Sequence, residues 1–288
     1  MLAHYLPLAE FERLRGDRGL ELTLTGLWCA GSPKALARPC VAIVGTRSAT
    51  AYGRRIAGEI ARDLGQAGCC ILSGLALGID AAAHGGALAG GTPTVGVLGG
   101  GHHAFFPARN RALADRMIEQ GGAVLSPYPP EHAPRPGQFL ARNGVVAALA
   151  DAVVVVEAPA RSGAINTAQW AAGRIPVLAV PGDVDRPHVA GCHALIRDGA
   201  ILARDARDVL EVLGLLAPAA VVARPGPLVP RDPLSARLFE LLAHGERDLD
   251  ALLAHAQADA SAVIAALVQL ELLGAIERRD GNIFARSR

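Results

Sequence analysis

A chain of 288 residues with 51% hydrophobic side chains is long enough to bury one large core or two unequal ones. Its formal net charge of +1 excludes a global basic field, so any contact with nucleic acid must use a local patch. The longest apolar runs, 152–156 and 175–180, are broken by charge or proline within about ten residues, too short to span a bilayer. Residues 1–20 lack the basic start, apolar core and small-residue cleavage site of a secretory signal, so a cytoplasmic chain is expected. The cysteines, Cys29, Cys40, Cys69, Cys70 and Cys192, form no CxxC pair, and Cys69-Cys70 sits in an apolar run. Reduced core thiols are the expectation. No metal or other cofactor is expected, because His102, His103, His188 and His193 lack ligand spacing to any cysteine pair.

In chain order, residues 1–40 predict a short helix at 8–14, a strand at 20–29 and a loop. They are too few for a core of their own and read as an extension packed on the main domain. From 41, short and continuously apolar runs alternate with amphipathic stretches: VAIVG and a helix over 52–67, CCILSG and a helix over 79–89, TVGVLGG and a helix over 109–120. DAVVVVEA, a helix over 167–172 and IPVLAVPG follow. Strands apolar throughout and separated by helices predict a parallel sheet covered on both faces, an α/β domain of Rossmann-like type over 41–215. Residues 216–233, rich in Pro, Ala and Gly without periodicity, read as a linker. Helices over 234–244, 249–255 and 261–273, then a hairpin turning at Arg279-Asp280-Gly281-Asn282, predict a winged-helix domain over 234–288.

Several strand ends carry chemistry. The first apolar strand ends at Gly45-Thr46-Arg47, with a helix beginning near 51 or 52. Free backbone N–H groups and the positive helix end then face one spot, which favours an anion such as phosphate, and Arg47 adds a planar fork. The full GxGxxG is absent, and Cys69-Cys70 falls where a ribose-binding acid would stand, which argues against a dinucleotide. A tight-turn glycine beside a surface arginine is the plainer alternative. After the second strand, Ser73-Gly74 leads to Asp80 and His84, four apart on one helix face. They could form an acid/base dyad, but Asp80 near a helix start reads better as a cap or dipole partner. Gly99-Gly100-Gly101 ends the third strand, at the edge where open α/β sheets bind ligands. In RPGQFLARNG, Phe139 interleaved with Arg135, Arg142 and Asn143 can stack a base while arginines hold phosphates, or else Phe139 is a core anchor. Glu157 stands at a strand end, and Ser162-Gly163-Ala164 ahead of a helix is a further candidate anion nest.

Taken in order, VGTR…YG, SGLALGIDAAAHGGAL, GGG…FFP..N, FLARN, VVVVEA…SGAINTA and AVPG…GCHALIRDGA resemble the DNA-processing protein A (DprA/Smf) family over about residues 20–215. The tail resembles that family's winged-helix end. The resemblance implies a non-enzymatic protein that binds and protects single-stranded DNA and hands it to the RecA recombinase during natural transformation, as a homodimer. It implies that Gly45, Thr46, Arg47, Phe139, Arg142, Asn143, Ser162 and Gly163 line the DNA pocket, with Ser73, Gly74 and Arg135 on the same rim. The chain departs from the family pattern at Gly144, where an arginine is usual, at Ala164 for a serine and at Pro127 for an acid; the family's N-terminal helical domain is missing or reduced to residues 1–40. Arg135 or Arg161 could supply the lost contacts.

The third tail helix offers only Gln269 and Glu271 for base reading, while Arg278, Arg279, Arg286 and Arg288 suit backbone phosphates, so a protein-contacting or auxiliary role is expected there. The competing reading is a nucleoside-monophosphate phosphoribohydrolase using Glu157 or the Asp80/His84 pair to activate water. Its PGGxGT-type turn is not found. A pure scaffold would leave the polar rim unexplained.

Overall fold

In a computed structural model that describes residues 1–16, 22–216, 232–272, 275–279 and 283–286, the alternating pattern resolves into a mixed α/β sheet followed by a smaller C-terminal unit. The first unit, Met1–Leu216, contains β1 (His4–Pro7), α1 (Leu8–Arg15), β2 (Gly26–Gly31), β3 (Cys40–Gly45), α2 (Ala51–Gln66), β4 (Cys70–Ser73) and α3 (Ile79–Ala89). It continues with β5 (Thr94–Val97), α4 (Arg111–Glu119), β6 (Ala123–Ser126), α5 (Pro136–Leu149), β7 (Ala152–Val156) and α6 (Gly163–Ala171). β8 (Val177–Ala179), α7 (Ala190–Arg197), β9 (Ile201–Leu202) and α8 (Ala206–Val212) complete it.

Among the described residues the sheet has nine strands in the order β1-β2-β6-β5-β4-β3-β7-β8-β9. From β6 to β9 every pairing is parallel, whereas β1 and β2 add an antiparallel edge. Residues 1–40 therefore build part of the same sheet. The predicted strand at 20–29 is displaced: β2 starts at Gly26, and residues 17–21 lie outside the described ones. Strand periodicity of two sends Ala42, Val44, Val153 and Val155 to one face and Val41, Ile43, Val154 and Val156 to the other. Helices α1, α5, α6 and α7 cover the first face, and α2, α3 and α8 the second. Apolar side chains at successive positions thus report two buried faces.

Helix starts follow local chemistry. Pro136 at the first position presets φ for α5, so FLARN lies inside the helix and not ahead of it. Ser162 caps α6 by accepting from the Ile165 N–H at 3.4 Å, which begins that helix at Gly163, four residues before the expected 167. Residues 1–16 are clamped by Arg15, whose side chain is 1% exposed and grips Asp151 with two bonds of 2.7 and 3.2 Å. No single helix among the described residues is long and apolar enough to cross a membrane.

The second unit, Ala217–Arg288, holds α9 (Pro233–Leu241), β10 (Arg247–Asp248), α10 (Leu249–Ala256), α11 (Ala260–Leu272), β11 (Ile276–Arg279) and β12 (Ile283–Arg286). Its strands pair antiparallel in the order β10-β12-β11, around a separate core that includes Leu238, Leu252, Leu267, Leu270 and Phe284. Most of the expected linker, residues 217–231, and the hairpin turn at 280–282 lie outside the described residues.

Candidate functional site

β3 and β7 are neighbours in the sheet, yet the helix that follows β3 covers one face and the helix that follows β7 covers the other. The loops leaving their carboxyl ends part, and open α/β sheets hold their ligands in the crevice that results. A cavity of about 600 Å³ occupies that position. Its lining includes Gly45, Thr46, Arg47, Gly74, Phe139, Arg142, Asn143, Ser162 and Gly163 from among the sequence-predicted residues.

The loop after β3 is held from three sides. Thr46 donates its N–H to the Glu157 carbonyl at 2.7 Å, and Ile79 donates to the Thr46 carbonyl at 3.2 Å. Gly45 is squeezed against β7: a Cβ there would fall 1.9 Å from the Val156 carbonyl. Gly78 adopts φ +80°, and a side chain on it would strike the Thr46 carbonyl, so glycine is required on both counts. The Glu157 carboxylate, 2% exposed, takes the Thr50 N–H at 2.9 Å and the Thr50 hydroxyl, while Thr50 caps α2 by accepting from Gly53 N–H at 3.1 Å. Glu157 itself sits at φ +49°, a left-handed conformation that a non-glycine residue adopts only where its surroundings over-determine it. Sequence reasoning placed Glu157 at the rim as a possible base; its bonds instead tie the end of β7 to the start of α2.

Arg47 is exposed, and its guanidinium lies 5.5 Å from the centroid of the half-buried Phe139 ring. Phe106, 51% exposed, meets the same ring edge-on at 5.8 Å. Gly99 makes room beneath, since a Cβ there would come 2.7 Å from Phe139. The triple glycine is thus a floor for an aromatic and for the 129–134 loop, which packs on Gly100 and Gly101. Arg142 forms the cavity bottom at 4% exposure and donates to the Gly74 and Val97 carbonyls. Burial pushes its guanidinium down to about 10, with Asp80 opposing the fall and Arg47 adding to it, so it stays charged at neutral pH. Asn143 donates to the Gly163 carbonyl at 3.0 Å and fastens α5 to the start of α6.

Two sequence-predicted residues stand elsewhere. The Ser73 hydroxyl is fully buried and donates to the Ile43 carbonyl at 2.6 Å, because β3 is its nearest acceptor. Arg135 is exposed at the N-cap of α5, outside the cavity lining, where its N–H bonds Gln138 at 2.8 Å. Phe106, Leu140 and Thr167 line the cavity without having been singled out. The motifs FFP, FLARN and SGAINTA contain these three, and the Phe106 ring was as open a signal as that of Phe139.

Asp80 and His84 do not pair. Asp80 accepts the Gly74 and Ala76 N–H groups at 3.1 and 3.3 Å, and His84 bonds Thr94 through Nδ1 at 2.8 Å. Among the described residues no three His, Cys, Asp or Glu side chains gather as a metal-ligand set. All five cysteines are buried and free; burial pushes the Cys29 thiol up to about 12 and those of Cys69 and Cys192 to about 11, so they are protonated at neutral pH.

The sequence profile of DNA recombination-mediator protein A matches residues 20–214, and that of the DprA winged helix domain matches residues 222–282. The chain is 42% identical over 265 residues to DNA processing protein DprA of Mycobacterium tuberculosis, spanning 89% of this chain and 67% of that one. It is 37% identical over 175 residues to DNA processing protein DprA of Bacillus subtilis, spanning 60% of this chain and 58% of the relative. Among solved structures, DprA of Streptococcus pneumoniae superposes with a TM-score of 0.65 at 32% identity, covering 73% of this chain and 74% of that one. DNA processing protein A of Helicobacter pylori, solved to explain its single-stranded DNA binding mode, gives a TM-score of 0.64 at 30% identity over 74% of this chain and 96% of that one. The family is described as one of recombination mediators, and in this chain the buried Glu157 carboxylate and His84 ring are committed to structural bonds. The chain belongs to the DNA recombination-mediator protein A (DprA/Smf) family.

Proposed function

We propose that the α/β unit is a Rossmann-like domain that grips single-stranded DNA in the crevice between β3 and β7. In this reading the protein protects incoming DNA and loads it onto a RecA-type recombinase during natural transformation, as a cytoplasmic homodimer. The observation that carries the reading is the Arg47 guanidinium 5.5 Å from the Phe139 ring at the mouth of a 600 Å³ cavity. The ring offers a base a stacking face, and the guanidinium offers the adjoining phosphate a two-bond fork. Every base has a π-face and every nucleotide a phosphate, so this pair suits a strand of any sequence. The single-stranded DNA binding described for the H. pylori relative supports it. Titration of oligo-dT is the test: Arg47→Ala weakens binding about tenfold whatever the base sequence. Unchanged affinity in that titration refutes the proposal.

The C-terminal unit reads as a winged helix that does not recognise bases. Its α11 carries no Lys or Arg and exposes Ile264 and Val268, 46% and 48%, where a duplex reader presents donors and acceptors. The recombinase contact and the dimer are tested together, by co-elution of the purified chain with recombinase and by the mass of the chain alone.

A further inference from the structure

An exposed aromatic stands beside the cavity without lining it. Only 4% of this chain is aromatic, yet Trp170 leaves half of its surface, 50%, in solvent. It lies on α6, the helix whose first residue, Gly163, lines the cavity. At about 100° per residue, Gly163, Thr167 and Trp170 fall within about 60° of one another on the helix, and Trp170 is about 10 Å along the axis from Gly163. Its indole rests on α5 at Gly144: a Cβ there would meet the ring at 3.2 Å, close enough that the ring would have to give by a few tenths of an ångström. Leu140, one turn earlier on α5 and 51% exposed, lines the cavity and bridges towards Phe139. Phe106, Phe139, Leu140 and Trp170 therefore form an apolar strip that leaves the cavity along the α5–α6 seam.

We propose that Trp170 is a second stacking platform, on which a base of the same DNA strand lies after the strand has left the Arg47–Phe139 grip. The inference rests on the single-strand reading above. A lone exposed apolar residue needs no explanation. This one is continuous with the cavity and lies at a spacing that one or two nucleotides of an extended strand can bridge. An indole also offers a stacking face that accepts any base. The indole rests on Gly144 of α5, the helix that carries Phe139, so the two stacking faces keep a fixed distance. Strands too short to reach Trp170 gain nothing from it.

The experiment uses the full chain with Trp28, the other tryptophan, changed to Phe, which keeps a ring against Tyr5 at the far edge of the sheet. Oligo-dT of twelve or more nucleotides quenches and shifts the Trp170 emission, and a dinucleotide that fills only the Arg47–Phe139 grip does not. Trp170→Ala weakens binding of the long strand about five- to tenfold, at the low end for a stacked base, and leaves the dinucleotide unaffected. Trp170→Phe restores most of that loss. An indole silent to the long strand, with unchanged affinity in Trp170→Ala, overturns the inference and leaves the seam to a protein partner. If Arg47→Ala still loses affinity in that case, the single-strand reading stands without it; if Arg47→Ala is also without effect, both fall.

Discussion

The imidazole of His84 is wholly enclosed beneath the cavity, and its protonation couples the α/β unit to pH. Thr94 spends its one hydroxyl proton on the Ile71 carbonyl at 2.7 Å, so it can only accept from His84, which fixes the Nδ1–H form of the ring. Nε2 has no partner among the described residues. Burial, with Arg142 adding to it, holds the imidazole down at about 3 against the ordinary 6.5. Between those values the unfolded chain binds a proton that the folded one refuses, so stability falls as the pH drops, by about 1.4 kcal/mol per unit. From pH 7 to pH 5 the urea transition of the α/β unit loses about 2 kcal/mol through this group, and His84→Gln removes that part of the loss. An identical pH dependence in the two proteins would count against the enclosed neutral ring. His84 also marks what sequence could not reveal at this scale. Arg47 and Phe139, which line the cavity, could be singled out because their chemistry suits a phosphate and a base wherever they stand. The partners that decide the other roles are remote: Thr94 for His84, the Gly74 carbonyl 68 residues from Arg142, and Thr50, 107 residues from Glu157.

The long helices α2 and α3 were legible from their periodicity, because a buried stripe repeats several times along them, whereas the shorter α7 and α8 were not picked out. The four-residue β1 and β6 and the two-residue β9 were not picked out, whereas the equally short β4 and β5 were legible as apolar runs ending at glycine, CCILSG and TVGVLGG. The helix α5 was half-read for a different reason: Pro136-Gly137 looks like a loop until Pro is placed at the first helical position, and only then do Phe139 and Asn143 fall one turn apart on one face. Such edge elements still matter to the core. Phe11 on α1 is fully buried in the same cluster as Val145 and Leu149 of α5, the helix that carries Phe139 and Arg142. Phe11→Ala is expected to cost about 3–5 kcal/mol of α/β-unit stability, read as a lower urea midpoint with an unchanged slope. A loss below about 1 kcal/mol would mean that residues 1–16 rest on the sheet without sharing its core.

At the scale of the whole molecule, a net charge of +1 decides how binding responds to salt. A uniformly basic protein neutralises many phosphates and loses affinity steeply as salt rises, because each neutralised phosphate had released counterions. Here the balance of 28 basic and 27 acidic residues leaves no such field, and Arg142 at the cavity floor is already matched by Asp80. In the reading proposed above, phosphates are held by Arg47 and the backbone N–H groups around it, while Phe139 stacks a base, a contact that salt scarcely touches. For single strands log K falls with log[salt] by about 0.7 per phosphate neutralised. One or two phosphates held near Arg47 give a shallow slope, between about −0.7 and −1.4. Arg47→Ala makes that slope shallower by about 0.7, whereas Phe139→Ala lowers affinity with the slope unchanged. The pair of variants separates charge from stacking in one set of titrations. A slope near −4, kept intact in Arg47→Ala, would place the phosphate grip on a surface other than the β3–β7 crevice.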